Sequence, residues 1–450
     1  MKVNKSYVAA LAVIFSTNLY AKVNSAPNCD APAGPGVNWS GCDKRGADLH
    51  GSNLVGADLT NAILIGTDFT NATLSGADFT NADLFRALFI SSALTDTDFT
   101  SANLKAANFT NADLSKATLV DIDLYAAIMH KANLTRTIVK STKENKLIDL
   151  SFTDFTNATL DHAVFTKVNL YKANLSKANL NYAALLHSKL DFANLSGTRL
   201  NKANFSYSTL KSVGFDNAYD IADVNFTWTD LSNAKLNGLR AIIRPNFNHT
   251  SLHGANLENT NIYHAKFINS RLDNIGKGFP VESSTKLSHS TIANSDFIGS
   301  NLFGAQLVGT TLQTVNFLPG IESATSLDSV NLYRSNIIMC KFESASLRSA
   351  DLSNSTIKYS NFKNSDINNI RINNAYIHWT SFKNVKAQKF HIHLSKLQYV
   401  DFNSTGMAWS LFQMMLDNPN INNLCLRSTA GYWYSDSLQE CIEFKKLSDK

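Results

Sequence analysis

Charge is scarce in this 450-residue chain: Asp, Glu, Lys and Arg together make up 17% of it. Proline is also rare, with seven residues, while 44% of the chain is hydrophobic. A chain so apolar can bury a large core, which excludes a disordered, solvated polymer. The net charge of +5 is too small to indicate a nucleic-acid partner. Long apolar runs are missing too. The run Tyr7–Phe15 is far shorter than the roughly 20 residues that cross a bilayer, and no later run approaches that length. There is no Walker loop, dinucleotide-binding glycine pattern, HExxH or GxSxG, so the common signatures of phosphate, cofactor, zinc and nucleophile chemistry are missing.

Histidine pairs supply no substitute. His391 and His393 flank Ile392 and read as solvated surface residues, and His249 and His253 have no Cys or acidic cluster near them in sequence. No catalytic residue, cofactor or metal site is expected.

Lys2 and Lys5 precede the apolar run, and Ser16, Thr17, Ala21 and Ala26 follow it. A charged start, short apolar middle and small-residue exit predict a signal peptide over 1–26 and a periplasmic or secreted location. Charge then divides unevenly: acids outnumber bases twelve to eight over 27–140, and bases outnumber acids thirty to twenty-four beyond it.

Length alone suggests about three domains, but an internal period overrides that expectation. Large apolar residues recur every five positions: Leu49, Leu54, Leu59, Leu64, Phe69, Leu74 and onward. Two places before each stands a small residue. Of the nineteen such slots from Ala47 to Thr137, all but Ile122 are Ala, Ser or Thr. A period of five fits neither a helix at 3.6 nor a strand at 2. It fits a solenoid in which each repeat forms one short side and turns a corner. The large and small residues then point inward and the other three positions outward.

The motifs ADL at Ala47–Leu49 and Ala57–Leu59, and ANL at Ala132–Leu134, Ala173–Leu175 and Ala255–Leu257, resemble the A(D/N)LXX signature of the pentapeptide-repeat family. The resemblance implies an all-β solenoid, a right-handed quadrilateral β-helix with four repeats per coil. It spans 47–402. Counting each irregular segment as one repeat predicts about 18 coils and a rod of ~85 Å.

The pattern fails near 140–149, 216–225, 237–241, 276–286 and 318–326. By the same count, the last four loops should bulge from one face. Residues 27–46 are expected to cap the first coil, and 403–450 to form a short helical or irregular cap. Export makes Cys29–Cys42 and Cys425–Cys441 disulfides expected, with Cys340 a buried thiol at a small inward site.

Tyr171, Tyr182, Tyr207, Trp228, Tyr263, Tyr333, Tyr359 and Trp379 fall at outward positions, and aromatics are enriched where proteins meet partners. Function is therefore expected to be an exported, non-enzymatic rod that binds a protein or acts as a scaffold, and the resemblance extends this to a secreted bacterial effector. Other members of the family mimic duplex DNA and protect DNA gyrase. That alternative requires an acidic surface, and only 27–140 is acidic here.

Overall fold

A computed structural model describes residues 26–144, 146–273, 284–321, 323–387, 389–392 and 394–402, and the backbone of 421–427 and 433–434. Its core is a coil of short parallel rungs. Four ladders run side by side. Asn38 pairs Asp58 and then Asp78 on the first side, and Asp43 pairs Ile63 and then Asp83 on the second. Asp48, Asp68 and Leu88 form the third ladder, and Asn53, Thr73 and Ala93 the fourth. Partners one coil apart are twenty residues apart, so four repeats of five complete each turn. The described residues contain no helix.

Each recurring feature of a repeat has a physical task. The central residue points inward: Leu59, Leu175 and Phe297 are fully buried. Its amide donates to the next coil, as Leu59 N–H does to Asp78 O at 2.8 Å, and Asp78 N–H donates back to Ala57 O at 2.9 Å. These bonds satisfy backbone groups that would otherwise be buried unpaired. The Asp or Asn before the central residue accepts the amide two places on, as Asp58 does from Thr60 at 3.1 Å and Asn174 from Ser176 at 3.2 Å. This Asx turn starts the corner.

The second corner residue then adopts positive φ, for example +57° at Asn61 and +60° at Asn71. Asn and Gly tolerate that conformation best, which accounts for their frequency there. Where Thr or Ser takes the small inward slot, its hydroxyl finds a carbonyl either two or three residues back, as Ser92 does at Phe89 O, or in the previous coil. Thr260 donates to Leu236 O at 2.8 Å, and Ser208 to Leu185 O at 2.7 Å.

The core is built from columns of one residue type. Phe69, Phe89 and Phe109 stack on the third side, and Phe79 and Phe99 on the first meet them edge-on at 5.8–6.1 Å. From Phe205 to Phe402 every central residue of the first side is Phe, with adjacent centroids 4.3–5.5 Å apart. Cys340 occupies a small inward slot, and burial pushes its thiol up to about 12.

The ladder already includes Asn38 and Asp43, within the segment expected to be a cap. Over this first coil, Asn28 N–H donates to Asn38 O, and the indole of buried Trp39 donates to Ala31 O at 3.2 Å. Cys29 and Cys42 are joined by a disulfide. At the other end, Lys396–Asp401 pairs in parallel with Ile421–Arg427, which pairs antiparallel with Trp433–Tyr434. Strands thus stand in part of the segment expected to be a helical or irregular cap. The Cys425–Cys441 pairing lies outside the described residues.

The expectation that four loops share a face is corrected. The segments 216–225 and 237–241 each place one extra residue on the fourth side, which resumes pairing at Ile221, Ile242 and Ile262. The loop near 276–286 instead separates Leu272 on the second side from Leu287 on the third. The 318–326 loop leaves the first-to-second corner, as the 140–149 loop does. An excursion from a corner occupies no side, so counting it as a repeat shifted every later face and made the coils too many.

Candidate functional site

Corners decide which side chains reach solvent. The residue two places after a central Leu or Phe projects from the corner, and the same corner of the next coil places another residue one rung away. At the first-to-second corner this builds the column His187, Tyr207, Trp228, His249. Their rings lie near-parallel, with centroids 5.0, 6.5 and 4.2 Å apart. Tyr207 and Trp228 are 56% and 53% exposed.

A second row follows the second-to-third corner. Tyr125, Phe152, Tyr171 and Phe192 meet edge-to-face at 6.0, 6.0 and 5.7 Å. The Lys172 ammonium lies 5.9 Å from the Phe152 ring and 5.3 Å from that of Tyr171. Such cation–π contacts hold a charged head beside the apolar row. The row opens at its N-terminal end into a shallow depression of about 510 Å³ lined by Phe85, Arg86, Lys105, Asp123, Tyr125 and Asp149. A Lys105–Asp123 ion pair at 3.1 Å crosses it.

The two rows border the second side over successive stretches. The edge-to-face row lies beside Asp123, Asp149, Asn169 and Lys189, and the stacked column beside Lys189, Thr209, Asp230 and Ser251. They share only the rung of Lys189, which has a ring on both edges, from His187 and Phe192. Burial opposes the charge of Asp230, but hydrogen bonds from Ser232 and the Lys211 ammonium, 3.3 Å away, outweigh it. They hold its carboxyl below the ordinary value. The 140–149 and 318–326 loops leave the same first-to-second corner. The second of them is tied down where Ser323 donates to Gly299 O at 2.9 Å. A polar strip edged by aromatic rings, first along one corner and then along the other, can bind a surface.

The eight aromatics expected at outward positions do not form one patch. Tyr207 and Trp228 share a column, and Tyr171 joins the opposite rim. Tyr182 stacks on His162 at 4.6 Å along the fourth-to-first corner, where Tyr263, Tyr359 and Trp379 also lie. Tyr333 sits at the third-to-fourth corner beneath Arg334. Sequence reading missed Tyr125, Phe152, Phe192, His187 and His249. The signal was the corner position itself: Phe152 is two places after Leu150, and Phe192 two after Leu190.

Elsewhere, His253 is buried in an ion pair with Asp273 at 2.8 Å, and His391 Nε2 lies 3.1 Å from Asn369 Oδ1. His393 lies outside the described residues, among which no group of His, Cys, Asp and Glu is arranged to hold a metal.

The family model of pentapeptide repeats in eight copies matches overlapping segments over 36–140, then 148–181, 178–217, 244–275, 283–317 and 335–374, more than half of the chain. No curated protein matches it. Among solved structures it is similar to HetL, a pentapeptide repeat protein involved in heterocyst differentiation regulation from the cyanobacterium Nostoc sp. strain PCC 7120. Identity is 23%, covering 61% of this chain and 90% of that one, with a TM-score of 0.18. Full-length QnrB1, a plasmid-mediated fluoroquinolone resistance protein, is 16% identical over 40% of this chain and 92% of its own, with a TM-score of 0.19.

Proposed function

Because the chain belongs to the pentapeptide-repeat family, whose members are generally non-enzymatic structural or binding proteins, we propose that it is an exported rod that binds a protein partner along its second side. The observation that carries this reading is the two aromatic rows that follow one another along opposite edges of the second side and meet at the rung of Lys189. Large aromatics anchor protein interfaces, and the stacked coils hold these without the ordering cost that flexible loops incur. The basic, apolar leader of residues 1–26 supports export, and a secreted effector is the extension of that reading.

The test has two parts. Fractionation with N-terminal sequencing should find a shortened chain outside the cytoplasm, and intact Met1 in the cytosol would remove export. A photo-crosslinker placed at Thr209 should capture a partner that the variant Phe192→Ser/Tyr207→Ser/Trp228→Ser loses. Equal capture by both would remove the second side as the binding surface. Mimicry of duplex DNA before gyrase is the weaker reading, since the chain carries +5 overall. Protection of gyrase in a supercoiling assay would reverse that ranking.

A further inference from the structure

Charge is distributed unequally among the four sides near the C-terminal end. On the fourth side, the rungs 288–294, 308–314, 333–339, 353–359, 373–379 and 393–399 contain no Asp or Glu. They stack in register through Ile292, Leu312, Ile337, Ile357, Ile377 and Leu397. Other sides of the same coils carry Asp296, Asp328, Asp351 and Asp366.

The fourth side carries cations and aromatics instead. Lys358 and Lys396 place their ammonium groups 5.4 and 5.7 Å from the Tyr376 ring. His378 lies 5.8 Å from Tyr359, 5.9 Å from Tyr376 and 6.1 Å from Trp379. Burial and the nearby Lys358 hold His378 below its ordinary value, so the fixed positive charge comes from Arg334, Lys358 and Lys396. The rims are apolar and open: Met339 is 53% exposed, Tyr359 52% and Leu394 58%. The strands Tyr376–Ser381 and Lys396–Asp401 run on through the corner into the first side and pair in register.

We propose that this face docks the rod peripherally on an anionic phospholipid surface. Tyr and Trp favour the headgroup level of a bilayer, and lysines near an anionic leaflet add attraction. Exposed Met339 and Leu394 decide between anionic occupants. A soluble polyanion leaves them in water, whereas a bilayer covers them while its phosphates meet the cations. Stacking of nucleic-acid bases is further disfavoured because the two lysines already lie against Tyr376. No helix among the described residues is long and apolar enough to cross a membrane, so contact through this face is peripheral.

The test uses the full chain and vesicle flotation. Vesicles of equal parts phosphatidylcholine and phosphatidylglycerol should carry the protein upward, vesicles of phosphatidylcholine alone should not, and added salt should release it. Lys358→Gln/Lys396→Gln should weaken binding about thirty-fold. Lys116→Gln/Lys131→Gln, with the same charge loss on distant corners, should leave it unchanged. Met339→Ala/Leu394→Ala should weaken binding while keeping its salt dependence. Flotation with neutral vesicles, equal loss in both lysine pairs, or binding to heparin or duplex DNA without binding to the anionic vesicles would overturn the proposal.

Discussion

Replacing Phe297 by alanine tests the column on which the rod is built. Its ring is fully buried between those of Phe267 and Phe317, at 4.3 and 5.1 Å. Removing a buried Phe costs about 3–5 kcal/mol in lost transfer and the cavity left behind. Of that, each stacked neighbour accounts for ~0.5–1.5 kcal/mol, so Phe297→Leu, which keeps most of the apolar volume, should cost about 1–3 kcal/mol. In a solenoid each coil touches only its neighbours, and the loss should therefore stay local.

Native-state hydrogen exchange reads this directly. The amides of Phe267, Phe297 and Phe317 bond to Asp296, Asn316 and Lys341 carbonyls at 2.7, 2.8 and 2.7 Å. In the alanine variant they should exchange about a hundredfold faster, while those of Phe79 and Phe99 hold their protection. Acceleration below about tenfold, or equal acceleration at Phe79, would refute the stacked-column account.

Further outcomes follow from other parts of the rod. Cys29→Ser should destabilise the first coils by ~3 kcal/mol, since the bond closes a loop of 13 residues; reductant should produce the same early transition in the wild-type chain and none in the variant. The buried His253–Asp273 pair should give a pH-dependent coil. Its hydrogen bond to Asp273 raises His253 above 6.5 against the pull of burial, so that contribution is whole below pH 6.5 and lost as pH rises through the raised value. Burial opposes the charge of Asp273, but His253 and Arg271 hold it below 3.8. Its contribution is present above pH 3.8 and lost as pH falls through the lowered value. Exchange at Leu252 and Leu272, corrected for intrinsic rates, should be slowest between these limits. Asp273→Asn should flatten the profile, and a flat wild-type profile would remove the pair's role.

Much of the architecture was legible because a five-residue period admits few solutions. Leu59, Leu175 and Phe297 could be assigned to the interior from spacing alone, since a large residue every five places must face one way when the chain turns at equal intervals. The buried thiol of Cys340 was readable for the same reason, from its position in the repeat. The Cys29–Cys42 disulfide was instead expected from the export signal and from two cysteines flanking the first segment. The requirement for positive φ at Asn61, Lys131 or Tyr182 was not, because a corner's handedness leaves no apolar signature.

What only the tertiary structure decided is which distant residues become neighbours. Tyr207 and Trp228 are separated by one ordinary coil plus one bulged residue, and whether they stack depends on where that residue is absorbed. The fourth side takes it up at Ile221, so the first-to-second corner keeps its column. Likewise, the chain shows that 276–286 and 318–326 interrupt the period, but not whether an interruption fills a side or leaves from a corner. Backbone pairing between coils settles that, because each rung must resume hydrogen bonding with the rung twenty or more residues before it. The core needed only local spacing, whereas the surfaces that meet other molecules depended on the register of the whole stack.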